Sequence, residues 1–336
     1  MAVDWSLTCE VSVIVPAYNV AQLIREAIAS ILDQGYPRLE IIVVDDGSTD
    51  GTPEALPNLP FIRCLRREHG GPAAARNTGL LAARGRLLAF LDADDIWEPQ
   101  SLRSRVDFLA HEPDLGMVFG DIRFFDDAGM VSESHLAGLR TFRRAPTRQP
   151  RPGHHVFLRS VTAECIIEPF MPIDTVLVRR ECLDSVGLFD ESLWIGEDTD
   201  LWSRIAAGYP IGFVDRTLAR CRRRAGSLTS DPETVILGRL AAARKFLRNG
   251  HEPEVERVLR ERTGRLLVEL GEHHMAKGRD GQARRCFVAG IRYRSARRSS
   301  FLYLFASFLT APGRNAVLSL YRWFRRRYPA RRSWVR

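Results

Sequence analysis

The chain has 336 residues, of which 45% are hydrophobic and 27% are charged, an ordinary composition for a soluble globular protein. The longest apolar stretch near its end, residues 301–309, falls far short of the roughly 20 residues that a membrane-spanning helix needs. The N-terminus has no signal-peptide pattern. We therefore expect a cytoplasmic protein. Its six cysteines have no metal-binding spacing, so we expect them to be reduced and packed inside the fold.

The net charge of +8 is distributed unevenly along the chain. Residues 231–336 contain 24 Lys and Arg against 9 Asp and Glu, whereas residues 1–230 contain 25 against 32. A chain of this length accommodates two domains. The charge division predicts two regions with different roles, at residues 1–230 and 231–336.

The first 125 residues alternate between strand and helix patterns. Short apolar runs predict strands at Val11–Val15, Glu40–Val44, Ile62–Leu65, Leu87–Leu91 and Met117–Gly120. Apolar residues at helical spacing predict helices at Ala21–Leu32, Pro72–Ala83 and Pro99–Leu109. This alternation predicts an α/β fold with an open, mostly parallel sheet flanked by helices.

The pattern is less regular in the middle of the chain and becomes wholly helical after about residue 230. Residues 126–165 are predicted to be a long irregular loop, followed by a strand at Thr175–Val178 and a helix at Asp198–Ala207. The later helices are predicted at Leu237–Leu247, Glu254–Leu270 and Gln282–Tyr293. They form a C-terminal all-helical basic extension.

Two acidic clusters follow predicted strands. Residues 45–50 follow the second strand, and Asp92-Ala93-Asp94-Asp95 follows the fourth. Ligands of open parallel sheets bind beyond the carboxyl ends of the strands. Both clusters are therefore expected at a ligand-binding edge.

Asp92 and Asp94 are separated by one residue at the end of a buried strand, so their carboxylates can face one point. Hard oxygen ligands suit Mg²⁺ or Mn²⁺, and two carboxylates with substrate phosphates complete such a site. The alternative is that Asp94 or Asp95 caps the following helix. The apolar strand before the cluster favours metal binding.

The loop at residues 45–50 can accept hydrogen bonds from a nucleotide base or from ribose hydroxyls. It is not a phosphate loop, since no GxGxxG or GxxxxGK[ST] pattern follows a strand. Asp-Gly-Ser-Thr is also good turn chemistry, so a solvated turn is the alternative.

A third acidic pair, Glu197-Asp198, precedes the apolar face of a predicted helix. The positive end of the helix dipole favours an ionised carboxylate there, and an ionised Asp facing a cleft can act as a general base. Simple helix capping is the alternative.

Together these motifs resemble glycosyltransferase family 2, over roughly residues 10–230. The residues that carry the resemblance, in the family's order, are Val11-Ser12-Val13-Ile14-Val15-Pro16-Ala17-Tyr18-Asn19, Val43-Val44-Asp45-Asp46-Gly47-Ser48-Thr49-Asp50, Arg76-Asn77-Thr78-Gly79, Leu91-Asp92-Ala93-Asp94-Asp95 and Glu197-Asp198. The resemblance implies the GT-A fold and an inverting, metal-dependent sugar transfer from a nucleoside-diphosphate sugar to an acceptor hydroxyl.

The resemblance also implies roles for single residues, which fall into a donor set and a reacting acid. Pro16, Ala17 and Tyr18 would border the nucleotide, Asp46 or its neighbour Asp45 would recognise the base, Arg76 would lie near the donor, Asp92 would lie near the ribose and the metal, and Asp94 would bind the Mg²⁺ or Mn²⁺ ion. Asp198 matches the second acid of the family's Glu-Asp pair, the general base.

The chain departs from many relatives at Arg224, which stands where they carry a histidine. Arginine does not bind metal ions but pairs with phosphate oxygens. The run Arg222–Arg224 is therefore expected either to neutralise the leaving diphosphate or to form a solvated basic loop.

The family implies a nucleoside-diphosphate sugar as partner, with UDP favoured, and a glycan or lipid-linked acceptor in bacterial cell-surface polysaccharide biosynthesis. In the tail, Tyr321–Tyr328 mixes aromatic residues with arginines, which suits an anionic membrane surface on the cytoplasmic side. The alternative for the tail is a packed helical appendage with a solvated basic end. Without a nucleic-acid-binding motif, we expect no nucleic-acid partner.

Two other functions predict different features of the sequence. A nucleotidyltransferase should carry a Gly-rich basic loop after the first strand, where this chain has Pro16-Ala17-Tyr18-Asn19. A non-catalytic nucleotide-sugar-binding or scaffold protein would act through the helical tail, and the complete set of acids argues against it.

Overall fold

The structure is a computed structural model. It describes residues 9–224 and 226–309 together with Gly313, Val317 and Ser319, but not the side chain of Arg140. The chain divides into two compact units, Met1–Ser227 and Leu228–Arg336. Each unit is described by itself.

All strands of the described chain belong to one sheet in the first unit. They are β1 (Val11–Ala17), β2 (Leu39–Asp45), β3 (Ile62–Arg66), β4 (Leu87–Phe90), β5 (Ile96–Trp97), β6 (Met117–Asp126), β7 (Gly129–Ser132), β8 (Thr147–Arg151), β9 (His154–Phe157), β10 (Leu177–Arg179) and β11 (Ile211–Arg222).

The helices of the first unit flank this sheet. They are α1 (Ile24–Leu32), α2 (Pro72–Ala82), α3 (Ser101–His111), α4 (Arg140–Arg144), α5 (Thr162–Ile167), α6 (Arg180–Val186) and α7 (Glu197–Gly208).

The sheet order is β3-β2-β1-β4-β10-β6-β11-β9-β8, with β5 paired to β11 and β7 paired to β6. The first four strands are parallel to one another. β10 is antiparallel to both β4 and β6, and β11 is parallel to β6. Because β1, β2, β4, β6 and β11 share one direction, their carboxyl ends lie at one edge of the sheet.

Apolar burial on both faces explains why the central strands read as continuous hydrophobic runs. Val11, Val13 and Val15 of β1 belong to the core on one face, and Ile14 belongs to the core on the other. The α/β fold with an open, mostly parallel sheet is therefore as predicted.

The middle of the chain is more regular than predicted. Residues 126–165 contain β7, α4, β8, β9 and α5, so the prediction of one long irregular loop is wrong. The strands β8 and β9 form a hairpin that pairs with β11. β11 itself was not predicted, because Asp215 and Arg216 interrupt its apolar pattern at a bulge.

The second unit is helical over its described residues, as predicted for the C-terminal extension. Its helices are α8 (Pro232–Asn249), α9 (Pro253–Ala276), α10 (Asp280–Ile291) and α11 (Arg297–Ala306). Among the residues described, no helix is both long enough and apolar enough to cross a membrane. The aromatic and arginine-rich stretch at residues 321–328 lies outside the described residues.

Candidate active site

The loop after β2 is joined to the end of β1 by hydrogen bonds. The Asp46 N–H donates to the Ala17 carbonyl at 2.8 Å, and the Asn19 N–H donates to Ser48 Oγ at 2.9 Å. Asp45 is fully buried, and its Oδ1 accepts the Ser48 N–H at 3.0 Å. Asp45, Asp46 and Ser48 are therefore buried and bonded parts of the loop, whereas Thr49 and Asp50 at its tip are exposed.

The Asp46 carboxylate organises the segment at residues 67–71. It accepts the Gly71 N–H at 2.8 Å and the Gly70 N–H at 3.1 Å, and it pairs with the Arg67 guanidinium. The His69 ring lies 2.9 Å from its second oxygen. Its negative charge is thus already matched by donors of the protein.

Aromatic side chains line this part of the sheet edge. Pro16 and Ala17 are the last residues of β1, and Tyr18, directly after them, is exposed. The Tyr18 ring stacks on the His69 ring with a centroid distance of 4.1 Å, and His69 meets the Trp194 ring edge-on at 5.6 Å. The result is an exposed wall of three rings, Tyr18, His69 and Trp194, beside the Asp46 segment.

Arg76 connects two of the predicted acidic motifs. The guanidinium is buried and donates to Asp92 Oδ1 and to Glu197 Oε1, each at 2.6 Å. Burial lowers the pKa of Arg76, but the two carboxylates outweigh that effect and raise it. Arg76 is therefore charged, and its partner Glu197 lies 121 positions further along the sequence.

The close packing of α2 on the sheet places Arg76 under the strand ends. A side chain at Gly79 would meet Ile14 at 2.6 Å, so glycine permits this approach of helix to strand. Asn77, which directly follows Arg76, donates to the Phe189 carbonyl at 3.0 Å and accepts the Phe189 N–H at 3.0 Å. One turn of α2 thus fixes both the loop after β4 and the segment that leads to α7.

The Glu197-Asp198 pair begins α7 directly after Gly196, which has no side chain to cap the helix. Burial raises the pKa of Glu197 to about 7, although Arg76 opposes the rise. Burial also raises the pKa of Asp198, and the Thr199 N–H, which donates to Asp198 Oδ1 at 2.6 Å, opposes it. Desolvation thus outweighs the helix dipole that we expected to favour the ionised form. Within the described chain, no hydrogen bond reaches Asp198 Oδ2.

Asp92 and Asp94 lie in the loop after β4 and face arginines. Asp92 pairs with Arg76, and Asp94 Oδ2 accepts a hydrogen bond from Arg224 Nε at 2.8 Å. The Arg222 guanidinium donates to the Asp94 carbonyl at 3.1 Å. The following helix α3 begins only after Gln100, and the Leu102 N–H in its first turn donates to Gln34 Oε1, so the capping alternative for Asp94 and Asp95 is wrong. Arg222 and Arg224 are bound to this loop rather than solvated.

A buried network supports the loop from below. Asp174 Oδ1 accepts the Asp92 N–H at 2.8 Å, and Asp95 Oδ1 accepts the Arg222 N–H at 2.7 Å. Burial raises the pKa of Asp174 to about 7 and that of Asp95 well above its ordinary value. The Cys221 thiol donates to Asp174 Oδ2 at 3.3 Å. Asp95, Asp174 and Cys221 are close enough together to be considered as metal ligands, but their polar atoms already bond to one another and to the backbone.

Sequence reasoning missed several of these residues. His69 and Trp194 stand in loops without a diagnostic pattern, and Asp174 precedes a strand that gave no functional signal. The bridge that Arg76 makes was equally unpredictable, because no local spacing links residue 76 to residue 197. Asp92 and Glu197 each had a sequence signal of their own, but nothing in the sequence indicated that one arginine binds both.

The amino-acid sequence is similar to those of known glycosyltransferases. The family "Glycosyl transferase family 2" matches residues 12–162. An uncharacterised glycosyltransferase of Rickettsia conorii is 30% identical over 235 residues, which are 68% of this chain and 35% of that protein. The chain belongs to glycosyltransferase family 2.

A second relative of this family 2 chain is the Escherichia coli protein WfgD, described as a UDP-Glc:alpha-D-GlcNAc-diphosphoundecaprenol beta-1,3-glucosyltransferase. It is 35% identical over 128 residues, which are 37% of this chain and 49% of WfgD. The matched part thus spans about a third to a half of these two relatives.

Solved structures share the GT-A fold. Staphylococcus aureus TarS, residues 1–349 in complex with UDP-GlcNAc, has a TM-score of 0.61 at 20% identity, covering 94% of this chain and 92% of TarS. The mannosyltransferase PcManGT of Pyrobaculum calidifontis, in complex with GDP-Man and Mn²⁺, has a TM-score of 0.53 at 24% identity, covering 94% and 85%.

Proposed function

We propose that residues 1–230 of this family 2 chain catalyse metal-dependent, inverting transfer of a sugar from a nucleoside-diphosphate sugar to an acceptor hydroxyl. The observation that carries the proposal is the Arg76 bridge. It joins Asp92, in the loop expected to hold the donor, to Glu197, the neighbour of the expected base Asp198. Donor binding and base catalysis require these groups in one site.

The nucleotide would bind at the end of β1 and β2. The exposed Tyr18 ring, supported by His69, offers a flat face on which a base can stack. The Asp46 carboxylate is largely occupied by protein donors, and the Asp45 carboxylate, bonded through Oδ1 to the Ser48 N–H, is fully buried. We therefore propose that Asp46 recognises the base by accepting a hydrogen bond from it with an oxygen that also accepts the Gly70 or Gly71 N–H. UDP is the favoured nucleotide, in line with the ligand named for TarS, and GDP, named for PcManGT, is the alternative.

The residues after β4 fit a divalent cation. The side chains of Asp92 and Asp94 are 35% and 19% exposed, and each has only one oxygen engaged by an arginine within the described chain. Carboxylate oxygens suit Mg²⁺ or Mn²⁺, whereas the buried Cys221 thiol does not. Asp94, assisted by Asp92, would hold the ion, which when bound neutralises charge on the leaving diphosphate.

The reaction is a single displacement. Asp198 takes the proton of the acceptor hydroxyl, and we assign this to Oδ2, the oxygen that accepts no hydrogen bond among the described residues. The acceptor oxygen forms a bond to the anomeric carbon while the bond from that carbon to the diphosphate oxygen breaks. The nucleoside diphosphate leaves with the electron pair, and Arg224, now paired with Asp94, can neutralise it. Attack from the opposite face inverts the anomeric carbon.

The acceptor is proposed to be a glycan or a lipid-linked sugar in bacterial cell-surface polysaccharide synthesis. The printed name of WfgD gives it a diphosphoundecaprenol-linked acceptor, which supports this class. Such an acceptor would place the chain at the inner face of the membrane. Residues 231–336 would then serve a role other than chemistry.

The test combines donor binding with turnover. Purified full-length chain is screened by thermal shift against UDP-, GDP- and dTDP-sugars with and without Mn²⁺, since a ligand of the native state raises its melting temperature. The expected result is one Mn²⁺-dependent donor, hydrolysed slowly without acceptor. Asp94→Asn should lose the Mn²⁺-dependent shift, whereas Asp198→Asn should keep it and lose turnover. A chain that binds no donor would refute the proposal and favour a scaffold role.

A further inference from the structure

Helix α11 exposes a row of aromatic side chains on its outer side. Phe301, Phe305 and Phe308 are 54%, 60% and 66% exposed. Their spacing of four and three residues places them on one side of the helical turns. The last turn continues beyond the helix end, because the Phe308 N–H donates to the Phe305 carbonyl at 3.1 Å.

The inner side of the same helix is well packed. Tyr303 and Ala306 are buried in a core with Phe287, and the Tyr303 and Phe287 rings stack at 5.5 Å. The exposure of the three phenylalanines is therefore not a sign of a loosely packed helix. Large apolar side chains grouped on one exposed face usually mark a binding surface.

Arginines lie beside this row of phenylalanines. We define the α11 face as Phe301, Phe305 and Phe308 with the neighbouring Val288, Arg284, Arg297 and Arg298. Arg297 and Arg298 are exposed within one turn before Phe301. The Arg284 guanidinium lies 4.0 Å from the Phe308 ring centroid and donates to the Ser307 carbonyl at 2.8 Å. Val288, one turn along α10 from Arg284, is also exposed.

The chain around this face is basic. The described residues after Asp280 include six arginines and no acidic residue. A second copy of this chain would bring the same positive charge against the face, and like charges oppose such contact. Nucleic acid would match the charge and stack on the rings, but an aliphatic side chain such as Val288 offers it nothing.

A membrane surface fits both properties of the face. Phenylalanine rings enter the boundary between headgroups and acyl chains, and arginines at that depth pair with lipid phosphates. We propose that the α11 face docks the chain on an anionic phospholipid bilayer. The proposal does not depend on the sugar-transfer chemistry, and it concerns described residues rather than the aromatic stretch at residues 321–328.

The test measures vesicle binding by the full-length chain. Flotation compares vesicles of phosphatidylcholine alone with vesicles that also contain phosphatidylglycerol. We expect strong binding only to the anionic vesicles, weakened by added salt. The double variant Phe301→Ser/Phe305→Ser should lose about tenfold in partitioning for each ring removed.

A matched control makes the same kind of change, Leu81→Ser, at an apolar residue that is even more exposed but lies on α2; it should bind vesicles as the unmodified chain does. Unchanged melting temperatures would show that the variants fold, and unchanged donor-induced thermal shifts would separate the result from the proposed chemistry. Equal vesicle binding by the double variant and the control would overturn the proposal. So would preference for a single-stranded oligonucleotide over vesicles, or a change in molar mass that shows the face joins two copies.

Discussion

Two acidic loops leave the same edge of the sheet, yet the protein uses them differently. Asp45 and Asp46 after β2 are buried and bonded to backbone N–H groups and arginine. Asp92 and Asp94 after β4 are partly exposed, and each pairs with one arginine through one oxygen. The same residue type at the same strand position thus builds a loop in one case and remains available to a ligand in the other.

Removing the available acid should have the largest effect on activity. Asp94→Asn should lower the rate of sugar transfer by about 100-fold or more, because an ion that stabilises the leaving group contributes several kcal/mol. The melting temperature should change little, since Asp94 and its partner Arg224 are both partly exposed. The measurement is turnover with Mn²⁺ beside a thermal melt, and Asp184→Asn on the exposed side of α6 is the control. Full activity of Asp94→Asn would remove Asp94 from the donor site.

Replacing the buried Asp46 should lower stability rather than remove the metal site. Asp46→Asn should lower the free energy of unfolding by about 1.5–3 kcal/mol, the range for hydrogen bonds to a charged group. The Gly70 and Gly71 N–H groups and Arg67 would lose their anionic acceptor. Urea denaturation measures the effect. If Asp46→Asn proved as stable as the unmodified chain but lost donor binding, the distinction between the two loops would be wrong.

The sequence predicted where these loops lie but not how they differ. The strands β1, β2 and β4 are apolar runs buried on both faces, so their ends, and hence the acidic clusters, could be located from periodicity alone. Burial of Asp46 depends on the segment 67–71 folding over it, and no pattern in that segment indicates this. The Arg76–Glu197 pair and the support from Asp174 arise from tertiary packing between distant residues.

The strands β8 and β11 were not predicted, for two different reasons. β8 has the sequence Thr-Arg-Gln-Pro-Arg and lies at the edge of the sheet, so it carries little of the apolar pattern that reveals a buried strand. Edge strands tolerate charge and proline for the same physical reason. β11, in contrast, is central, and its two halves were separated by the bulge near Asp215.

The pH dependence of sugar transfer tests whether Asp198 is the base, separately from donor binding at the two acidic loops. Burial raises the pKa of Asp198, and the base must be ionised to take a proton. The value of kcat/KM should therefore fall about tenfold per unit as the pH drops below that raised pKa, with a midpoint above the ordinary value of 3.8. Donor binding, followed by thermal shift over the same range, should titrate separately. An identical pH profile in Asp198→Asn would assign the base to another residue.

The smallest expected effect concerns the aromatic wall at the end of β1. Tyr18→Ala should weaken donor binding by about tenfold, since a stacked aromatic contact contributes about 0.5–1.5 kcal/mol beyond its buried area. Tyr18→Phe keeps the ring and its contact with His69 and should bind donor nearly as the unmodified chain does. Because Tyr18 is exposed, both variants should melt at the unmodified temperature. Isothermal titration with the free nucleoside diphosphate isolates the base contact from the sugar. Equal affinities of the Ala and Phe variants would mean that the base does not stack on Tyr18, and the nucleotide would then have to bind nearer the loop after β4 than the loop after β2.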